Sequence, residues 1–140
     1  MPLIRLTVIL CALVFGSALH AAEPIQEHNS TAVWFENWIG LTHGNMRVAS
    51  PDGQITDSYA ASGTPVFELT GGGAVDGVYR YELRASTEDM IKNRDYSEDS
   101  ALEQDSSEYI AKPFYKTGVF IVERGVIITP KETLEENAGD

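Results

Sequence analysis

The chain has a single cysteine, Cys11, which lies in an apolar segment at the amino terminus. If processing removes residues 1–22, the remaining chain has no disulfide and no thiol for catalysis or metal binding. We therefore expect a domain that depends on its hydrophobic core alone for stability.

Residues 1–22 have the layout of a secretory signal peptide. Arg5 precedes an uncharged run, and Ala21 and Ala22 precede the polar segment that begins at Glu23. The apolar run is shorter than the roughly 20 residues that span a membrane. We expect cleavage after Ala21 or Ala22, export to the periplasm or the extracellular space, and no membrane anchor afterwards.

Basic residues are scarce, since the chain has 10 Lys and Arg residues against 21 Asp and Glu residues and a formal net charge of −11. An acidic chain without a basic cluster is unsuited to nucleic acid, so we expect no nucleic-acid partner.

Motifs for nucleophilic catalysis and for phosphate binding are absent from the sequence. We therefore expect no enzyme, although paired carboxylates in an acidic chain leave a small hydrolase as an alternative. We also expect no cofactor. The alternative is calcium bound by oxygen ligands from Asp95, Glu98 and Asp99, whose spacing matches no EF-hand.

Alternation of apolar and polar residues predicts several short strands. Residues 78–84 alternate most regularly, residues 32–41 form the first predicted strand, and residues 116–129 form a predicted hairpin. About seven such strands and no long helix predict an all-β fold, specifically an immunoglobulin-like antiparallel β-sandwich. A small barrel is the alternative.

The domain organisation follows from these assignments. Behind the signal peptide we expect a flexible lead-in at residues 23–31 and a β-sandwich domain at residues 32–130. Within that domain, residues 86–111 are rich in acids and lack apolar periodicity, which predicts a long acidic loop. Residues 131–140 form an acidic tail.

The segment Asp76-Gly77-Val78-Tyr79-Arg80-Tyr81-Glu82-Leu83-Arg84 resembles the late strand of bacterial immunoglobulin-like and fibronectin-like modules. Together with residues 118–127, which read as a hairpin, it is similar to a group of uncharacterised secreted bacterial proteins. The resemblance covers the second half of the chain. It implies a sandwich fold and an exported location, and it implies no catalytic residues.

Two tryptophans provide the main candidate for a contact site. If residues 32–41 form one strand, Trp34, Glu36 and Trp38 share a face opposite Val33 and Phe35. Exposed aromatic side chains usually mark interaction sites, although either tryptophan can instead belong to the core.

The function expected from these features is a non-enzymatic, exported β-sandwich that binds another protein or assembles with itself in the cell envelope or outside the cell. The first alternative is a carbohydrate-binding or adhesion module that uses the tryptophans, and the second is the carboxylate-dependent hydrolase.

Overall fold

The computed structural model describes residues 23–70, 74–97 and 107–129, and these residues form eight β-strands and no helix. The all-β class predicted from the sequence is therefore confirmed. Within this part of the chain, no helix is long and apolar enough to cross a membrane. The strands are β1 (Ile25–His28), β2 (Ala32–Glu36), β3 (Leu41–Ala49), β4 (Ile55–Ser62), β5 (Phe67–Glu68), β6 (Gly77–Lys92), β7 (Tyr109–Glu123) and β8 (Val126–Ile128).

The strands form two antiparallel sheets, an arrangement that fits a β-sandwich. The smaller sheet has the order β1-β2-β5, and the larger sheet has the order β4-β3-β6-β7-β8. Sequence neighbours form hairpins within each sheet, but β5 returns to β2 and β6 returns to β3. The chain therefore crosses between the sheets several times.

The core lies between the inner faces of the two sheets. The smaller sheet contributes Val33, Phe35 and Phe67, and the larger sheet contributes the remaining buried side chains of the cluster. Ring contacts join the sheets directly: the ring centroids of Phe35 and Tyr81 are 5.3 Å apart, and those of Phe67 and Phe120 are 5.5 Å apart. Edge-to-face and tilted pairs at such distances are the favourable aromatic arrangements.

The most regular sequence pattern corresponds to the best-defined strand. In β6, Tyr79, Tyr81 and Leu83 are buried and the residues between them are exposed. The predicted hairpin of residues 116–129 corresponds to β7 and β8, which are joined at Arg124 and Gly125. Both of these turn residues have positive φ angles, 54° and 76°, as a two-residue type I′ turn requires.

The amino-terminal region differs from its prediction in two ways. The lead-in at residues 23–31 contains β1, which pairs with β2 along its whole length. The first predicted strand, residues 32–41, ends at Glu36, because Asn37 and Gly40 have positive φ angles of 54° and 69° that interrupt an extended chain.

Strands occupy both ends of the range predicted as a long loop, residues 86–111. Strand β6 continues to Lys92 and β7 begins at Tyr109, so the two strands extend into both ends of that range. None of the β6 residues from Ser86 to Lys92 or the β7 residues from Tyr109 to Ala111 is buried, so neither strand shows a buried face that would produce apolar alternation there. Residues 98–106 lie outside the described residues.

A carboxylate links the start of β6 to the turn between β7 and β8. Asp76 accepts hydrogen bonds from the backbone amides of Gly125 (3.0 Å) and Arg124 (2.9 Å). The bond from Gly125 and then the bond from Arg124 hold the pKa of Asp76 below its ordinary value. The carboxylate thus fixes a turn that lies far from it in sequence.

This arrangement predicts how Asp76→Asn changes the dependence of stability on pH. Because the folded-state pKa lies below the unfolded-state value of about 3.9, the contribution of Asp76 is complete above that value. It is lost as the pH falls through the folded-state pKa. Urea denaturation from pH 7 to pH 2 should therefore show the wild type more stable at neutral pH and the difference narrowing in acid. A difference that is constant with pH would contradict the role assigned to the carboxylate.

Candidate functional site

The outer face of the five-stranded sheet carries an ordered set of exposed side chains. Strands β3 and β6 bury alternate residues in the core, so the residues between them face outward. We call this surface the arginine–tyrosine face and define it by Arg47, Tyr59, Arg80, Arg84 and Tyr115.

The strand register sets these residues in rows across β4, β3, β6 and β7. Such a row is about 14 Å long, because neighbouring strands are about 4.8 Å apart. The three central rows are Tyr59, Asn45, Arg84 and Tyr115; Asp57, Arg47, Glu82 and Thr117; and Ile55, Ala49, Arg80 and Val119.

Two of the arginines are held by neighbours on the face. Arg84 lies over the ring of Tyr115, with its guanidinium carbon 5.6 Å from the ring centroid, and one of its nitrogens is 3.5 Å from a Glu82 carboxylate oxygen. Arg47 donates two hydrogen bonds to Asp57, at 2.8 Å and 3.1 Å. The Asp57 hydrogen bond raises the pKa of Arg47, and the same bond lowers the pKa of Asp57.

The third arginine, Arg80, forms no ion pair with any described residue. It lines a depression of about 440 Å³ on the outer face together with Ile55 and Val119. An unpaired guanidinium beside apolar side chains is available to a ligand of opposite charge.

Apolar side chains are concentrated on the same side of the sheet. Among the described residues, fourteen large hydrophobic side chains are exposed, and six of them face outward from the part of the larger sheet that covers the core. These six are Ile55, Tyr59, Val78, Tyr115, Val119 and Val126. These side chains alternate with the charged residues of the rows, so the outer face offers apolar area beside its charges. Exposed apolar area of this kind is a mark of interaction sites.

The residues proposed from the sequence as a contact site do not form one surface. Trp34 is partly exposed and lies opposite Glu27 on the outer face of the smaller sheet, where Glu36 also faces outward. Trp38 instead packs against the core, with its ring centroid 6.4 Å from that of Phe35. Its indole N–H is buried and has no hydrogen-bond partner among the described residues.

The different placement of Trp38 has a local cause. Strand β2 ends at Glu36, so alternation no longer determines where Trp38 points. Its indole lies beside Gly44 and Pro65, at a distance that leaves no room for a β-carbon on Gly44. The two indoles therefore do not form a shared platform.

Of the three acids proposed as calcium ligands, one lies in the part of the chain that the structure describes. Asp95 is exposed, with its backbone amide bonded to the Asn93 side chain at 3.1 Å, whereas Glu98 and Asp99 lie outside the described residues. Within residues 23–70, 74–97 and 107–129, no three His, Cys, Asp or Glu side chains are grouped closely enough to hold a metal ion.

Sequence reasoning did not single out the arginine–tyrosine face. The alternation of residues 78–84 identified Arg80 and Arg84 as lying on a solvent-facing side. Their alignment with Tyr59 and Tyr115 depends on which strands are neighbours and in what register, and no local pattern carries that information.

Comparisons with protein-family models, with curated proteins and with solved structures returned no match. The structure defines the class of the protein as an all-β protein of two antiparallel sheets.

Proposed function

We propose that the protein is an exported, non-enzymatic β-sandwich protein that binds a protein partner through the arginine–tyrosine face. The observation that carries the proposal is the alignment of three arginines and two tyrosines with further exposed apolar side chains on one sheet face. Tyrosine and arginine are enriched at protein interfaces and among the residues that dominate binding energy.

The proposal includes an immunoglobulin-like topology of the fibronectin kind. In such sandwiches the first two strands share a sheet with a later strand, and the third strand lies beside the last two in the other sheet. The sheet orders β1-β2-β5 and β4-β3-β6-β7 support this assignment, with β8 as an added edge strand. Export rests on the signal-peptide layout of residues 1–22, which lie outside the described residues.

The hydrolase alternative is less well supported than binding. Asp52 and Glu68 line a cleft of about 470 Å³ beside Tyr79. A glycosidase of the usual type needs one carboxylic acid with a raised pKa. The pKa of Asp52 is instead lowered, mainly by its hydrogen bond from the Ser50 hydroxyl.

The carbohydrate alternative loses its original basis, because Trp38 packs against the core while Trp34 lies on the outer face of the smaller sheet. The cross-linking experiment below distinguishes glycan binding by the arginine–tyrosine face from protein binding.

The proposal predicts position-dependent cross-linking. A photoreactive amino acid at Tyr115 should give protein cross-links in the native compartment, whereas the same group at Ile39, which is 74% exposed but lies off the face, should not. Adding Arg80→Glu should reduce the Tyr115 product about tenfold, which corresponds to a loss of about 1.4 kcal/mol of binding. Lys112→Glu makes the same change of charge on strand β7, away from the residues that define the face, and should leave the yield of the Tyr115 product unchanged.

Two results would overturn the proposal. One is an equal yield of protein cross-links from Tyr115 and Ile39. The other is glycan binding by the purified protein that is lost in Arg80→Glu, without any protein cross-link from Tyr115.

A further inference from the structure

The outer face of the smaller sheet carries carboxylates and no lysine or arginine from its strands, unlike the arginine–tyrosine face. We call it the acidic face and define it by Glu27, Trp34, Glu36 and Glu68. The register sets Glu27 opposite Trp34, Ile25 opposite Glu36, and Ala32 opposite Glu68. Strands β1, β2 and β5 contain no lysine or arginine.

This acidic face includes an aromatic and an aliphatic side chain as well as carboxylates. Trp34 is partly exposed and Ile25 is 50% exposed. The acidic face therefore offers apolar area for burial as well as negative charge. The arginine–tyrosine face also combines apolar area with charge, and its three arginines exceed its carboxylates Asp57 and Glu82 by one.

The two faces lie on opposite sides of the molecule, because each sheet turns its other side toward the shared core. On the arginine–tyrosine face, Asp57 and Glu82 already pair with Arg47 and Arg84. Arg80 has no ion pair within the described residues, so it is the arginine that can meet a carboxylate of the acidic face without breaking an existing pair. Complementary charge across an interface sets the choice of partner and the register of docking.

On this charge complementarity we infer that the partner is a second copy of this chain, with the acidic face of one copy docked on the arginine–tyrosine face of the next. This inference rests on the proposed function of the arginine–tyrosine face. Because different surfaces meet, the contact is heterologous, and each added copy leaves one face of each kind free. Faces on opposite sides of a sandwich favour an open chain of copies over a closed dimer.

The size of the acidic face indicates weak association. Three strands span only about 10 Å from the first strand to the third, so the contact belongs to the class of small, transient interfaces. We expect dissociation constants of about 10–1000 µM, which agrees with a contact well below the standard interface size. Exposed charge pairs are screened by salt, so association should weaken at high ionic strength.

Sedimentation of residues 23–140 over a concentration series tests the inference. The average mass of the wild type should rise with concentration and return to that of one copy in about 0.5 M sodium chloride, where the Debye length is below about 5 Å. Arg80→Glu disrupts the arginine–tyrosine face. The double variant Glu27→Ala with Glu36→Ala disrupts the acidic face. Each variant alone should remain a single copy at concentrations at which the wild type associates.

Mixing the two variants provides the decisive measurement. Each variant keeps the face that the other has lost, so a heterologous contact predicts a complex of one copy of each and no larger species. Two control variants change the same charges away from both faces: Lys112→Glu, and Glu88→Ala with Asp89→Ala. Both controls should associate as the wild type does.

Three outcomes would overturn the inference. The first is a wild type that stays a single copy up to about 1 mM, the weak limit of the expected range. The second is an associating wild type whose two variants do not complement each other. The third is a Tyr115 cross-link in the native compartment whose mass identifies a different protein, which overturns self-assembly but supports the proposed function. A Tyr115 position that gives no protein cross-link overturns the proposed function as well.

Discussion

Replacing Phe35 with alanine is expected to lower the free energy of unfolding by about 3–5 kcal/mol. The side chain is 1% exposed and belongs to the smaller sheet. Its ring makes an edge-to-face contact with Tyr81 of the larger sheet at 5.3 Å and lies 6.4 Å from Trp38. Alanine would leave a cavity at the point where the two sheets meet. Because the chain has a single cysteine, no disulfide within it offsets the lost packing. Urea denaturation of residues 23–140 measures the change.

Ile39→Ala is the matched control, because Ile39 is an apolar residue close in sequence that is 74% exposed. Its replacement should change the free energy of unfolding by less than about 0.5 kcal/mol. A loss below about 1 kcal/mol for Phe35→Ala, or equal losses in the two variants, would mean that the ring does not join the sheets as described.

The sequence predicted the strands that have one buried and one exposed face. In residues 78–84 the side chains of Tyr79, Tyr81 and Leu83 are all less than 5% exposed, as their alternation indicates. The hairpin predicted at residues 116–129 is also present, and its turn includes Gly125, whose positive φ angle of 76° is one that glycine adopts readily.

The failures have specific physical causes. Trp38 was placed on the same face as Trp34 by counting along one strand, but the strand ends at Glu36 and Trp38 packs against the core. A positive φ angle at Asn37 is a local conformation that apolar alternation does not report. Strand β1 and the outer ends of β6 and β7 contain no buried residue, so no apolar period marks them.

The candidate site was harder to predict from the sequence than the fold was, because the site depends on the pairing of strands that are distant in sequence. Arg84 and Tyr115 are 31 positions apart and meet through the register of β6 and β7. Arg47 comes beside Glu82 through the register of β3 and β6. The sequence identifies which residues face solvent, whereas the surface they form together requires the topology.

Gly118→Ala is the second prediction with a large expected effect, and its sign differs from the usual one. Alanine in place of glycine within a strand ordinarily stabilises by about 0.5–1 kcal/mol. Here the added β-carbon would lie 2.7 Å from Cε1 of Tyr81 and still closer to its hydroxyl oxygen. The ring is 3% exposed and packs against Phe35, so it cannot move aside without disturbing the core. We expect a loss of about 2–3 kcal/mol in the free energy of unfolding.

A double-mutant cycle with Tyr81→Leu separates the overlap with the Tyr81 ring from a general destabilisation of strand β7 by any side chain at residue 118. Leucine lacks the outer ring atoms that the alanine β-carbon would meet, so adding Gly118→Ala to Tyr81→Leu should be neutral or stabilising. The coupling between the two positions should then be about 2 kcal/mol or more, within the range observed for residues in contact. Val119→Ala, at the neighbouring outward-facing position, should cost less than about 1 kcal/mol because that side chain is 46% exposed. If Gly118→Ala were equally costly in both backgrounds, the ring of Tyr81 would not occupy the space above Gly118, and the register of β6 and β7 that aligns the arginine–tyrosine face would lose its support.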